Sequence, residues 1–387
     1  MPLADTATLV DIARQIGATH AAPAADAVDR EARFPHEALE ALKAEGLLGA
    51  LIPQELGGIG ATIVDVAAVC ETLGRSCAAT AMIFAMHQIN VACLLRHGRS
   101  APFFREYLAA VAADQRLIAS ATSEVGTGGD LRRSVCGVQP EPEGRIRISK
   151  RCPVISYGDE ADDILLTARR APDAAPADQV LVLVRKSDCT LTRAGEWDTL
   201  GMRGTRSFGF TLDASASKDH VVPVPFADAA SQTMIPVSHL LWSALWLGLA
   251  SDAVARARAF VRAEARRCPG DTPPSAPRLA QVVAELDTMR ALVHDGLSAF
   301  DRHKDDVDTL GGFGFALRMN NLKVSASRLA PEIVGGALAV CGIAAYRNDS
   351  PYSVGRHLRD AHSAALMVGN DRIYAANAAM LLVHKEE

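Results

Sequence analysis

Residues 121–130, with the sequence ATSEVGTGGD, combine hydroxyl side chains with three glycines directly after the short run LIAS. Glycine has no Cβ, so a ligand can approach the backbone N–H groups of such a segment closely, and the hydroxyl of Ser123 adds one more hydrogen-bonding group. Binding of a ring ligand through its carbonyl oxygens is one explanation of this pattern. An ordinary glycine-rich turn between two strands is the other, and the segment taken alone does not choose between them.

Metal chemistry is not indicated by the sequence. The eight cysteines are scattered along the chain, none forms a CxxC pair, and no cysteine and histidine have the spacing of zinc ligands. We therefore predict no metal site. Most of the cysteines lie in apolar segments, where a free thiol behaves as a small hydrophobic group. This use of cysteine predicts a reducing compartment, the cytoplasm.

The first part of the chain, residues 1 to about 115, reads as helices. Apolar residues recur at spacings of three and four in PHEALEALKAEGLL (35–48), and a second helix is predicted over ATIVDVAAVCETLG (61–74). Residues 78–98 are apolar nearly all round, which predicts a buried helix.

The pattern changes to strands at about residue 117 and back to helices at about residue 230. Seven short runs rich in β-branched residues, separated by turn-forming residues, predict a compact antiparallel barrel or sandwich. These runs are LIASATS, SVCGVQ, RIRISK, DDILLTAR, QVLVLVRK, CTLTRA and FGFTLDA. Four long helical patterns then predict a four-helix bundle over 237–266, 276–304, 317–345 and 355–384. The order of helices, strands and bundle excludes an alternating βαβ fold and a Rossmann site.

Bulk properties exclude several other classes. The chain of 387 residues has a net charge of −5 and no block of basic residues, which argues against nucleic acid as a partner. No run of 18 uninterrupted apolar residues is present, so no membrane span is predicted. The N-terminal residues MPLADTATLVDIARQ lack a basic region followed by an apolar run, so we do not predict a secretory signal.

The order of the three parts, together with four local motifs, resembles the acyl-CoA dehydrogenase family over almost the whole chain. The resemblance implies a mainly α fold with a central β-domain. Its parts are an N-terminal helical domain (1–115), a middle antiparallel β-barrel (116–228) and a C-terminal four-helix bundle (229–387).

Two motifs resemble the parts of the family that bind the flavin. ATSEVGTGGD is similar to the flavin loop A-x-T-E-P-x-A-G-S-D. VISYGDEADDILLTAR (154–169) is similar to W-I-T-N-G…A-D followed by a strand, with Ser156 where a threonine hydroxyl normally lies near flavin N5 and Val154 in place of an aromatic residue. A buried strand with a satisfied serine is the alternative for this second segment.

The other two motifs are structural or lie at a subunit interface. LGMRGTRSFGFTLD (200–213) is similar to M-G-x-R-x-(S/T) followed by a strand, and it indicates the register of the β-domain. Residues 339–371 are similar to Q-x-x-G-G-x-G-Y…R-x-x-R-D-A, with Ala339 in place of the glutamine. GGFGF (311–315) also resembles the glycine motif, but no Arg-Asp pair follows at the right distance, and we interpret it as a turn between helices.

The resemblance implies an FAD cofactor and an acyl thioester substrate, carried on CoA or on an acyl carrier protein. The residues that it places at FAD are Ala121, Thr122, Ser123, Gly128, Gly129, Ile155, Ser156, Arg266, Gly342 and Asn370. The residues that it places at the substrate are Gly129, Val368 and Gly369. Arg266 and Gly342 have their role in the family only across a subunit interface, so a homodimer or homotetramer is expected. An electron-transfer flavoprotein is a possible partner.

Arg266 has a structural alternative. A guanidinium offers the fork of donors that a pyrophosphate needs, but a cation at the C-terminal end of a helix is also stabilised by the helix dipole. Pro269 replaces the phenylalanine that usually follows in this motif, which indicates an altered loop.

The sequence departs from the family at the catalytic base. Typical members remove an α-proton with a glutamate while flavin N5 takes a hydride from the β-carbon. That glutamate usually lies nine residues after the arginine of Arg-Asp, and nine residues after Arg359 lies Val368. Some relatives carry it on the first bundle helix instead, about ten residues before a glycine, but SHLLWSALWLG (238–248) contains no acid. Asp371 and His239 are the remaining candidate bases.

Three hypotheses follow from the missing base. The first is an FAD enzyme that oxidises an acyl thioester by two electrons. The second is a flavin-dependent monooxygenase on the same fold, because relatives that oxygenate with a flavin need no α-proton abstraction. The third is a flavin-binding protein without turnover that acts as a structural partner in a hetero-oligomer.

Overall fold

A computed structural model describes residues 6–267 and 269–384, and it shows the predicted order of helices, strands and helices. Cys268 and part of the N-terminal segment assessed above for a signal lie outside these residues. The fold class predicted from the sequence is confirmed: helical N- and C-terminal parts enclose a central β-domain.

The N-terminal helices follow the predicted periodicity, but the helix predicted over 35–48 is shorter, because it ends at Ala44 and a separate 3₁₀ turn follows at Leu47–Gly49. They are α1 Thr6–Ile16, α2 Ala22–Arg30, α3 His36–Ala44, α4 Ile63–Gly74, α5 Ala78–His97 and α6 Pro102–Asp114. Thr62 and Asp65 form a capping box at the start of α4. Helix α5 is buried on nearly all sides, as its uniform apolar sequence predicts.

The seven predicted strands form two sheets. They are β1 Ile118–Ala121, β2 Gln139–Glu141, β3 Arg145–Ile155, β4 Asp163–Arg169, β5 Gln179–Arg185, β6 Cys189–Arg193 and β7 Phe208–Ser217. One sheet has the order β1-β4-β5 and the other β2-β3-β7-β6.

Two details of the predicted antiparallel barrel are wrong. Strand β1 pairs with β4 in parallel, which is possible because β2 and β3 lie between them in the chain and supply the crossover. In addition, the predicted strand SVCGVQ is largely irregular and pairs only through an isolated bridge of Gly137 with Arg169; the strand itself begins at Gln139.

The C-terminal part contains three of the four predicted long helices. Its elements are α7 Phe226–Ala229, α8 Ile235–Arg267, α9 Ala276–His303, α10 Val307–Gly311, α11 Phe313–Cys341, α12 Ile343–Tyr346, α13 Gly355–His362 and α14 Asn370–Leu381. Helix α8 packs on α4, α5, α9 and α11. The segment 311–315 is a helix-connecting turn, as predicted, because Gly312 ends α10 and caps α11.

The prediction of one helix over 355–384 is wrong. The chain leaves the helix after His362 and re-enters it at Asn370, with Val368 in a left-handed conformation at φ 47°. Gly369 is the N-cap of α14, so the two residues before α14 cannot continue the helical dihedrals of α13.

The main hydrophobic core contains side chains of all three parts, such as Leu73, Leu165 and Leu245. Three helical segments are long and apolar enough to cross a membrane by length and composition: Ala78–His97, Phe226–Arg267 and Phe313–Cys341. Their most apolar windows are 89%, 94% and 56% buried inside the protein. Packing against the rest of the chain therefore accounts for the apolar character of the first two.

Candidate functional site

The glycine-containing loop 121–130 lies against the end of strand β3. The hydroxyl of Ser123 donates to the carbonyl of Val154 over 2.9 Å, and the N–H of Val125 donates to the carbonyl of Arg151 over 2.9 Å. These bonds bring the first two sequence motifs together, and they place Ser123 beside the end of the strand that leads to Ser156. The structure thus joins the two segments that sequence reasoning assigned to the flavin.

The buried carboxylate of Glu124 holds this loop in place. The residue is 6% exposed, and its carboxylate accepts hydrogen bonds from the Ser134 hydroxyl (2.7 Å) and from the N–H groups of Val135 (3.1 Å) and Cys136 (2.6 Å). The ammonium of Lys150 lies 3.9 Å away and is itself buried. A buried charge with this many partners fixes the backbone around it. Sequence reasoning quoted Glu124 only as part of the motif and did not predict this anchoring role.

Ser156 ends a row of hydroxyl groups. Its Oγ lies 2.8 Å from Oγ of Ser207, which lies 2.8 Å from Oγ1 of Thr205, and Thr205 donates to the carbonyl of Met202 over 2.8 Å. Ser156 is half-buried whereas Ser207 and Thr205 are buried. The row orients the Ser156 hydroxyl while leaving that residue accessible to a ligand.

The loop backbone offers hydrogen-bond donors to a ligand. Gly126, Gly128 and Gly129 have φ of 98°, 60° and 80°, a conformation that side chains other than glycine disfavour. Within the described part of the chain, the N–H groups of Ser123 and Gly128 donate to no other group. Small residues and free backbone donors are what the carbonyl oxygens of an isoalloxazine ring require.

The motif at 200–213 and the motif at 339–371 also contact each other directly. The N–H of Met202 donates to Oδ1 of Asp360 over 2.6 Å. A Cβ built on Gly201 would lie 2.3 Å from the carbonyl oxygen of Arg359, so only glycine permits this approach. The Arg-Asp pair therefore ties the β-domain to the bundle. Burial raises the pKa of Asp360 to about 6, and the nearby Arg356 guanidinium opposes that rise.

The segment after α13 forms one wall of the site. Val368, which stands where the family's glutamate is expected, is 45% exposed. The Lys323 ammonium donates to the carbonyl of Val368 (3.1 Å) and to Oδ1 of Asn370 (2.8 Å). Ser327 also bonds to the Asn370 amide. Lys323 and Ser327 were missed by sequence reasoning, although a lysine within an apolar helix is a signal that could have drawn attention to the first.

Arg372 lies against the glycines of the loop 121–130. A Cβ built on Gly129 would lie 3.2 Å from Cζ of Arg372, so the guanidinium sits directly over the glycines of the loop. Within the described residues it forms no ion pair. The loop 121–130 therefore contacts both the end of β3 and the segment 368–372, and we call the region where they meet the cleft; Arg372 is a cationic group there that sequence reasoning did not identify.

The two candidate bases differ in their surroundings. His239 is 2% exposed, and its Nδ1 lies 3.2 Å from the carbonyl of Met319. Burial, together with the charge of Lys323, lowers the pKa of His239 to about 3, so the imidazole is neutral near pH 7 and a very weak base. Asp371 lies on the first turn of α14 and is exposed. Neither occupies the position of Val368.

Arg266 and Gly342 lie at one end of the bundle. Both are exposed in the single chain, at the last turn of α8 and just after α11. Burial raises the pKa of the Cys341 thiol, near the end of α11, to about 11, and the charge of Glu264 on α8 adds to the rise. Among the described residues, no cluster of three or more His, Cys, Asp or Glu side chains could hold a metal ion. The seven described cysteines are free.

Two family models match the chain. Residues 4–115 match the acyl-CoA dehydrogenase N-terminal domain, and residues 229–382 match the acyl-CoA dehydrogenase C-terminal domain. Together they cover more than half of the chain.

Individual relatives with different activities match over most of their length. The amino sugar nitrososynthase DnmZ of Streptomyces peucetius is 26% identical over 88% of this chain and 84% of its own. A probable acyl-CoA dehydrogenase, fadE25 of Mycobacterium bovis, is 25% identical over 93% of this chain and 90% of its own. The FMN-bound structure of TdsC from Paenibacillus sp. A11-2, a dibenzothiophene monooxygenase, superposes with a TM-score of 0.84 at 20% identity and covers 98% of both chains.

Proposed function

The chain belongs to the acyl-CoA dehydrogenase family, and from that premise we propose that it is a flavin-dependent monooxygenase acting on the amino group of a small molecule such as an amino sugar. The observation that carries the proposal is Val368. It stands at the position of the family's proton-abstracting glutamate, and a valine cannot accept a proton.

The charges around Val368 support oxygenation rather than α-proton abstraction. Two cations lie at its segment, Lys323 at the Val368 carbonyl and Arg372 beside Gly129, while His239 is held neutral by burial. The carboxylate of Asp371, three residues after Val368, is exposed. Nearby cations lower the pKa of a carboxylate and so make it a weaker base. An amine that attacks through its lone pair needs no such base, because no C–H bond is broken.

The residues of the cleft would bind and orient the reactants. The loop 121–130 and Ser156 supply backbone and hydroxyl hydrogen bonds to the flavin ring, and Val368 forms an apolar wall beside the substrate. A bound reduced flavin would supply two electrons to dioxygen. One oxygen atom of dioxygen is then inserted into an N–H bond of the amine, which gives a hydroxylamine. The other oxygen atom takes the two electrons of the flavin and two protons from solvent and leaves as water.

We propose FAD as the flavin. Arg266 and Gly342, which the family resemblance assigns to the adenosine half across a subunit interface, are exposed and free to meet a partner subunit. The replacements Ala339 and Pro269 weaken the same contact and make FMN the alternative. Titrating apoprotein with each flavin while following the quenching of flavin fluorescence compares the two dissociation constants; tighter binding of FMN would contradict the proposal.

We further propose a homodimer or homotetramer. Ile343 and Tyr346, next to Gly342, are 72% and 73% exposed, and Leu366 is 79% exposed. Large apolar side chains exposed together mark association surfaces. Light scattering at micromolar concentration should give a mass of two or four chains, and a monomer would overturn this proposal. Location in the cytoplasm stays a prediction.

Two-electron oxidation of an acyl thioester is the second candidate. The relationship to a probable acyl-CoA dehydrogenase supports it, and the exposed Asp371 carboxylate, three residues beyond Val368, is the residue that could serve as its base. An electron-transfer flavoprotein would then be the expected electron acceptor.

One pair of experiments decides between the candidates. Protein loaded with flavin is titrated without oxygen with a panel of acyl-CoA thioesters, and separately supplied with a flavin reductase, oxygen and an amino sugar in free and nucleotide-linked form. We expect no bleaching of the flavin band by thioesters, and formation of a hydroxylamine or nitroso product that requires reductase and oxygen. Bleaching by a thioester without product from amines would establish the dehydrogenase.

A further inference from the structure

Lys323 is a buried lysine without an acidic partner. It lies in the middle of α11 with 0% of its surface exposed, and no carboxylate of the described residues lies within ion-pair distance of it. Lysine is almost never fully buried unless it is paired. The other fully buried lysine, Lys150, follows that rule, because Glu124 lies 3.9 Å from its ammonium. Lys323 therefore needs a different explanation.

The ammonium of Lys323 is directed at one short segment. It donates to the carbonyl of Val368 over 3.1 Å and to Oδ1 of Asn370 over 2.8 Å. Ser327, one turn further along α11, lies 3.1 Å from Nδ2 of the same Asn370 side chain. A single face of α11 thus holds Val368 and Asn370, at the point where the chain leaves the interruption 363–369 and enters α14.

The backbone held in this way is strained. Val368 has φ 47°, and a β-branched residue in the left-handed region is a conformational outlier. Such strain persists only where surrounding contacts impose it, and it concentrates at functional sites. Here the bond from Lys323 to the Val368 carbonyl is the contact that opposes relaxation of this residue.

The buried charge also costs stability. Desolvation lowers the pKa of Lys323 to about 8, so the group is still largely charged near neutral pH although no anion compensates it. His239, on the neighbouring helix α8, is neutral and adds no charge of either sign. A local feature that lowers stability without an evident structural gain is expected at functional positions.

We infer that Lys323 is a positioning residue that fixes segment 368–370 as a wall of the substrate pocket and sets the start of α14 so that Arg372 lies over Gly129. The inference rests on the proposed function in one respect, that the cleft beside Val368 takes the substrate. Lys323 itself is enclosed and would not contact the substrate.

The test compares Lys323→Met with Asn320→Ala by hydrogen exchange of the flavin-loaded protein. Asn320 lies on the same helix and also links α11 to α14, through Asn377 at 2.7 Å, but it does not touch segment 368–370. The reporting amides are those of Met367 and Asn370, which are hydrogen-bonded to Ser363 and Ala365.

In Lys323→Met we expect exchange of these two amides to rise about tenfold, since a hydrogen bond from a charged donor is lost, whereas Asn320→Ala leaves them unchanged. The KM for the amine substrate should rise more than kcat falls. Asn370→Ala removes one of the two acceptors of the Lys323 ammonium and should give the same exchange pattern. This variant serves as the test if Lys323→Met does not fold.

Unchanged exchange in folded Lys323→Met or in Asn370→Ala would overturn the inference. The exchange measurement needs no turnover, so its outcome is independent of the proposed reaction. Faster exchange in a protein that oxygenates no amine would leave the positioning role standing and would refute only the monooxygenase.

Discussion

The backbone N–H of Met202 donates a hydrogen bond of 2.6 Å to Oδ1 of Asp360, 158 residues further along the chain. This bond joins the β-domain, just before β7, to α13 in the C-terminal helical part. The loop 121–130 is bonded to β3 of the β-domain, and segment 368–372 follows α13. The position of segment 368–372 relative to the loop therefore depends on the contact of Met202 with Asp360.

Asp360→Ala should destabilise the protein by about 2–4 kcal/mol, because it leaves the buried Met202 N–H without an acceptor and removes one of the two carboxylates near Arg356, whose other partner is Asp26. Urea unfolding followed by circular dichroism measures the change. The exposed Asp349, which pairs with Arg347 at the surface, is the control, and its replacement by alanine should leave the unfolding midpoint unchanged. Equal midpoints for the two variants would refute this role of Asp360.

Val368→Glu tests the proposal that Val368 forms an apolar wall beside the substrate. The variant should fold, because glutamate is not β-branched and tolerates φ 47° better than valine. We expect it to bind flavin and to lose amine oxygenation, since a carboxylate replaces an apolar wall, while Val368→Ile keeps the activity. Flavin absorbance and product formation are the measurements. A gain of acyl-CoA dehydrogenation would instead identify a dehydrogenase pocket that has lost its base.

Arg372→Leu should raise the KM for a nucleotide-linked amino sugar about tenfold, because a guanidinium over the glycine loop can bind a phosphate with two hydrogen bonds. The KM for the free amino sugar, which has no phosphate, should not change. Arg328→Gln removes another exposed arginine, on α11 and paired with Glu332, and serves as the control. If both substrates lose affinity equally, Arg372 shapes the cleft rather than recognising an anion.

The buried Lys323 predicts a particular dependence of stability on pH. Its pKa is about 8 in the folded protein against 10.5 ordinarily, so above about pH 8 the unfolded chain binds more protons than the folded one. The free energy of unfolding of the natural protein, relative to that of Lys323→Met, should therefore rise between about pH 8 and 10.5. Urea unfolding of both proteins below and above pH 8 measures the difference. A difference that does not change with pH would show that the lysine is not desolvated.

The sequence by itself was sufficient for the order of the elements and for most of the elements themselves. The periodicity of 78–98 and of the long bundle helices, and the β-branched runs between them, are local properties, and local backbone preferences determine them. The motifs around Ser123 and Ser156 and the valine at 368 could also be found from residue types and spacing alone. The flavin role of these residues remains a prediction, while the structure shows that the loop with Ser123 contacts both the end of β3 and Arg372, four residues after Val368.

The tertiary structure decided the features that depend on distant residues. The interruption of the last bundle helix at 363–369, the parallel pairing of β1 with β4, the anchoring of the loop by Glu124 and the direction of Lys323 toward Val368 all depend on groups far apart in the chain. The role of a buried charge or of a strained valine depends on the group that it contacts. Local sequence patterns carry no information on that partner, because hydrogen bonds between distant segments form only when the whole core assembles.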